Sequence, residues 1–186
     1  MTSYPIDMAQ RLRDSFDRAT ADVKIEGVLW YQKVRRMAEE LASKYDRPVF
    51  QVVGVIAALS PRNRFSRNMQ DAESVLSQGD RAVVATFNGN KKKALRILET
   101  RSSIEVLDIL NGDKVRAFYS NILLDQRDRQ VTIDVWMMRL MGVDGTLTSR
   151  RYQDIAHTIR HVAREKGVSP KALQAITWVE LRGAAY

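Results

Sequence analysis

Residues 107–143 read LDILNGDKVRAFYSNILLDQRDRQVTIDVWMMRLMGV, and this stretch decides the fold. An apolar helix end, Leu107 to Leu110, runs into a short turn at Asn111-Gly112. A second helix is expected from Asp113 to Leu124, because Val115, Phe118, Tyr119 and Ile122 recur at helical spacing. Asn111 is the expected cap of that helix. A polar loop follows, then one extended piece, Gln130 to Ile133, too short for a sheet. It delivers a single carboxylate, Asp134, to the start of a helix over Trp136 to Met141. A carboxylate at a helix start is favoured by about 0.3–1 kcal/mol at exposed sites. A plain N-cap therefore accounts for Asp134 without invoking chemistry.

The flanks carry the same period. Met8, Leu12, Phe16 and Ala19 make one stripe; Val34, Met37, Ala38, Leu41 and Tyr45 make another. Val49 to Leu59 is apolar on every side, and the Ala57-Ala58 pair favours a buried helix over a strand. Ser60-Pro61 should end it, since the residue before a proline resists the α conformation. Ser102 with Glu105 makes a capping box, Thr148 or Ser149 starts a helix stopped by Gly167, and Ser169-Pro170 opens the last one. These signals predict one all-α domain over residues 1–186, with a hairpin-like core at about 102–142 and two helical lobes flanking a cleft.

Composition narrows the chemistry. Of 186 residues, none is Cys and two are His, which excludes a thiolate metal site, an iron–sulfur cluster and a cysteine nucleophile. His157 and His161 share a helical face, but no third ligand accompanies them, so no metal and no cofactor is expected. Lys and Arg number 30 against 22 Asp and Glu, and 21 of the 30 are Arg. The Arg fork matches phosphate geometry, so a nucleic-acid partner and a solvated basic surface both fit that charge. The longest apolar run, Val52 to Leu59, is far short of a membrane span, and Met1 to Arg18 lacks a signal-peptide core. The expectation is a cytoplasmic protein with no membrane partner.

Against this background the 107–143 stretch resembles the helix-hairpin-helix (HhH-GPD) DNA glycosylase superfamily. There a hairpin of the type L-P-G-V-G-x-K precedes V-D-T-H-V-x-R by about twenty residues. Here Leu110-Asn111-Gly112-Asp113-Lys114 precedes Ile133-Asp134-Val135-Trp136-Met137-Met138-Arg139. The sequence is more similar to the phage alpha-glutamyl/putrescinyl-thymine pyrophosphorylase-like branch, whose members include amino acid:DNA transferases that build hypermodified thymines. Its pattern is matched by Ser60-Pro61 with Asn68, Lys114 with Phe118-Tyr119 and Asn121, and Thr132-Ile133-Asp134 with Trp136. Trp30-Tyr31, Pro170, Gln174 and Trp178 extend the match to about residues 30–180.

The resemblance implies a two-lobed helical glycosylase-like fold acting on a modified pyrimidine of DNA, with a small amine or amino acid as donor. It gives Asp134 the role of stabilising positive charge or orienting the nucleophile. It makes Lys114 either a nucleophile or a structural partner of Asp134. Three departures stand out: Asn111 replaces the hairpin proline, Asp113 replaces its second glycine, and Trp136 replaces the usual His. A carboxylate at 113 repels the phosphate that such a hairpin grips.

Other residues fit the same setting. Arg62, Arg64 and Arg67 crowd the loop after Ser60, where they suit phosphate contacts with Phe65 stacking on a base, or a solvated loop with Phe65 packed inward. Asn68 and Asn121 suit a base edge or a helix cap. Lys91-Lys92-Lys93, at a helix start, reads as a solvated run or a phosphate contact. Trp30, Tyr31 and Trp178 read as core or as a platform. Three functions remain: group transfer in thymine hypermodification, excision of a modified base, or non-catalytic DNA binding or inhibition on a degenerate scaffold.

Overall fold

The computed structural model describes residues 4–123 and 130–183, with side chains described from Asp7 onward. Ten α-helices and no strand are found among them: α1 Tyr4–Arg18, α2 Ala21–Lys44, α3 Val49–Leu59, α4 Phe65–Gln78 and α5 Asn88–Ile97, then α6 Ser103–Ile109, α7 Asp113–Leu123, α8 Val135–Leu140, α9 Ser149–Glu165 and α10 Pro170–Arg182. The all-α expectation holds. Leu124, where the second hairpin helix was expected to end, lies outside the described residues. No described helix is long and apolar enough to cross a membrane.

The chain divides into two compact units. Among the described residues, one combines 4–31 with 130–183, and the other is 32–123. The boundary falls inside α2 and again at the end of α7, so the stretch read above as one motif leaves its hairpin in one unit and Asp134 in the other.

In the first unit, Met8 and Leu12 of α1 pack with Ile133, Met137 and Met141 around α8, with Ile155 and Ile159 of α9, and with Leu173 of α10. A residue of this size, fully buried, contributes about 1.5–3 kcal/mol relative to exposure. Gly27 of α2 lies hard against α10: a Cβ there would stand 2.5 Å from Ile176 Cα. Only glycine permits that approach. Arg13–Glu165 at 2.8 Å and Lys166–Asp17 at 2.6 Å tie α1 to α9 and to the residue that caps its C-terminus.

The second unit is built around α3, whose Gln51 to Leu59 are all buried. A helix apolar on every face must be central, and α3 meets α4, α5, α6 and α7. Its C-terminus is closed by the Ser60 N–H, which donates to Ala57 O at 3.3 Å, and by three side chains. Pro61 has no N–H to offer Ala57 O, and Ser60 Oγ donates to that carbonyl at 2.9 Å. Asn68 Nδ2 donates to Ile56 O at 3.0 Å and Asn63 Nδ2 to Leu59 O at 3.3 Å.

Three local expectations need correction. Ser60 keeps α-region angles (φ −71°, ψ −26°), so α3 stops at the missing proline N–H rather than at a rejected conformation. α7 begins at Asp113 and Gly112 O accepts from Arg116 N, so Gly112, not Asn111, occupies the capping position. Lys91 to Lys93 do not open α5, which starts at Asn88; Lys91 instead donates to the carbonyl of Asp80. The caps at Ser102, Thr148 and Ser169 form as expected, each accepting from the N–H three residues on.

Candidate functional site

The nine residues singled out by sequence fall into two groups. Asp134, Trp136 and Gln174 belong to the first unit; Ser60, Arg62, Arg64, Asn68, Lys114 and Asn121 belong to the second.

Asp134 has extended angles (φ −114°, ψ −175°) and caps α8. Its Oδ1 accepts from Trp136 N at 2.9 Å and from Met137 N at 3.0 Å. Its Oδ2 accepts from the indole Nε1 of Trp178, on α10, at 3.1 Å. A carboxylate has about four acceptor positions. Three N–H groups therefore fix this half-buried side chain and leave one acceptor direction of Oδ2 open.

Among the described residues the segment carrying Asp134 has no strand to pair with, so side chains satisfy its backbone. The hydroxyl of Tyr152, on α9, donates to Val131 O and accepts from Ile133 N at 3.3 Å. Beside it, the buried hydroxyl of Tyr31 lies 2.9 Å from Thr132 Oγ1 and donates to Gln174 Oε1 at 2.7 Å. Gln174 is thus a brace for the segment, placed on the buried face of α10.

Aromatic rings continue from these bonds. Trp30 meets the Tyr31 ring edge-on at 4.8 Å and the Trp178 ring at 5.8 Å. Gln174, Tyr31, Trp30, Trp178 and Asp134 therefore form one connected chain of contacts. Arg182, near the end of α10, lies 4.5 Å from the centre of the Trp178 ring and 5.5 Å from that of Trp136. Arg139 lies 4.8 Å from the Trp136 ring. Two exposed guanidinium groups on two half-buried indoles, next to a fixed carboxylate, make this the most chemically loaded surface of the first unit.

In the second unit, Ser60 and Asn68 are engaged at the end of α3, and Asn68 Oδ1, itself buried, has no hydrogen-bond partner among the described residues. Asn121 is buried on α7, and Lys114 is half-buried in the first turn of the same helix. One turn further on, burial raises the Tyr119 hydroxyl well above its ordinary pKa. The loop after Ser60 is held by Asp71, a carboxylate 1% exposed. Asp71 accepts from Arg67 at 2.7 Å, from Asn63 at 2.9 Å and from Ala85 N at 2.9 Å. Arg62 and Arg64 stay exposed, and Phe65 is half-buried at the start of α4.

Sequence reasoning gave no role to Arg139, quoted only as the end of the Asp134 motif, or to Arg182; α8 and α10 bring both to the tryptophans. It also missed Asp71, whose only local signal is Arg67 one helical turn before it. No group of acidic or histidine side chains suited to a metal occurs among the described residues. The chain belongs to a family of unknown function (DUF7178), whose family model matches residues 3–185. No curated protein and no solved structure matches it.

Proposed function

We propose that this member of a family of unknown function acts on a base of DNA, as a two-lobed glycosylase-like protein whose working carboxylate is Asp134. The observation that carries the reading is the fixed, half-exposed Asp134 beside the Trp136 and Trp178 rings, with Arg139 and Arg182 against them. A base taken out of its stack is held by aromatic walls and polar contacts, and its phosphates suit arginine.

The preferred chemistry is group transfer in thymine hypermodification. An amine nitrogen forms a bond to the exocyclic methylene carbon of a 5-phosphomethyl-pyrimidine as the C–O bond to phosphate breaks. The phosphate leaves with the bonding pair, and the proton lost by the amine passes to the open acceptor position of Asp134 Oδ2. A second reading, a non-catalytic DNA-binding or inhibitor protein, draws support from the N-cap bonds that already occupy Oδ1 of Asp134.

The test is mass spectrometry of nucleosides from ordinary DNA and from DNA carrying 5-phosphomethyl-uracil, each incubated with wild type or Asp134→Ala in a pool of amino acids and polyamines. A new nucleoside mass dependent on Asp134 is expected. Free base with abasic sites would replace transfer by excision, and no change in either DNA would leave the binding reading in its place.

A further inference from the structure

A second feature lies in the unit that does not contain Asp134. Arg62 stands at φ +54°, a left-handed backbone that glycine adopts freely and other residues adopt at a cost. The surroundings hold it there. Asn63 Nδ2 donates to Asp71 Oδ2, and Ala85 N donates to the same oxygen, so one buried carboxylate joins the loop after Ser60 to the loop before α5. Thr86 Oγ1 donates to Pro61 O at 2.9 Å, and Asn90 Nδ2 donates to Thr86 Oγ1 at 2.8 Å.

What this scaffold presents is a cation on a ring. The Arg62 guanidinium lies 5.6 Å from the centre of the Phe87 ring, and Phe87 is 57% exposed. Among the described residues neither Arg62 nor Arg64 meets a carboxylate, whereas Arg67 is committed to Asp71. The unit that carries them is net positive: residues 32–123 hold 16 Lys and Arg against 10 Asp and Glu, an excess of six cations. An exposed phenyl ring is poorly hydrated, and the Arg62 guanidinium against it, with exposed Arg64 two residues along the chain, suits a flat, apolar-faced ligand attached to anions.

We propose that Arg62 and Phe87 form a stacking platform for an unpaired base of single-stranded nucleic acid, with Arg64 taking the adjoining phosphate. A ring that stands out of the surface stacks on a base with a free face, which a duplex interior does not offer. The role given to Phe65 by the sequence passes to Phe87, because Phe65 is half-buried in α4. The proposal shares with the reading at Asp134 only its nucleic-acid partner, and it stands or falls without any chemistry there.

The experiment is fluorescence anisotropy of a labelled oligothymidylate against the full chain over a salt series, with the same sequence as duplex in a second arm. Phe87→Ala should weaken single-strand binding roughly ten-fold or more, the usual cost of losing one base–aromatic stack. Arg62→Gly relieves the left-handed backbone, so this variant should melt no lower than wild type. It should nevertheless bind more weakly, with the cation lost from the platform, whereas Arg64→Ala should lower the log–log salt slope by about 0.7, one phosphate contact on a single strand. Equal binding by wild type, Phe87→Ala and Arg62→Gly would overturn the proposal, as would wild type preferring the duplex or binding neither form. If Asp134→Ala alone loses binding, the contact belongs to the first unit and the platform is again refuted.

Discussion

Replacing Asp134 tests whether its three N–H bonds are a structural cap or a means of holding a working charge. In Asp134→Ala the N–H groups of Trp136 and Met137 lose their acceptor, which costs typically about 1 kcal/mol. The Trp178 indole loses its acceptor too, but Trp178 is half-buried and water can replace the bond, so that loss stays below about 1 kcal/mol. Together they amount to about 1–2 kcal/mol. For a chain of this length each kcal/mol shifts the melting temperature by about 2–4 °C. Asp134→Ser is the informative partner, because serine caps a helix about as well as aspartate but cannot reach the indole or carry charge. Thermal melts followed by tryptophan emission should rank wild type, Ser and Ala in falling order, with Ser regaining most of the cap. Ala melting with wild type, or Ser melting with Ala, would refute the assignment of the cap. The nucleoside assay on the Ser variant then separates the roles: a folded, inactive Ser variant requires the charge, whereas an active one reduces Asp134 to a helix start.

Gly27→Ala should destabilise the first unit although alanine is the better helix former by about 1 kcal/mol. The new Cβ would stand 2.5 Å from Ile176 Cα and 2.6 Å from Ile176 N, backbone that cannot swing aside, so a net loss of about 1–3 kcal/mol is expected in urea unfolding; unchanged stability would refute the close approach. In the second unit, the hydrogen bonds of Lys44 and then Tyr45 lower the Glu73 pKa, and the bond to Glu73 raises that of Lys44. The contribution from Glu73 is present above the ordinary carboxylate range and is lost as pH falls through its lowered value. That from Lys44 is full below the ordinary lysine range and is lost as pH rises through its raised value. Both groups are exposed, so the two limbs are shallow, and Glu73→Gln should flatten both in urea midpoints measured from acid to alkaline pH; an unaltered profile would refute the pairing.

What the sequence makes legible here is what neighbours in the chain decide. The caps at Ser102, Thr148 and Ser169 follow from a hydroxyl and the N–H three residues on, and the burial of α3 follows from its lack of any polar face. What it conceals is what packing decides. Arg182 reaches Trp136 only because α10 lies beside α8, and Phe87 rather than Phe65 is the exposed ring because Asp71 joins two loops distant in sequence. The candidate residues fall between these cases. Ser60, Asn68 and Asp134, all part of the resemblance to the glycosylase-like branch, each satisfy a backbone group at a helix end. Polar residues at helix ends are spaced by the helices themselves, so a motif built from them can be matched through fold alone. Chemistry at such a position is therefore tested by a substitution that keeps the backbone bond and removes the charge, and Asp134→Ser meets that requirement.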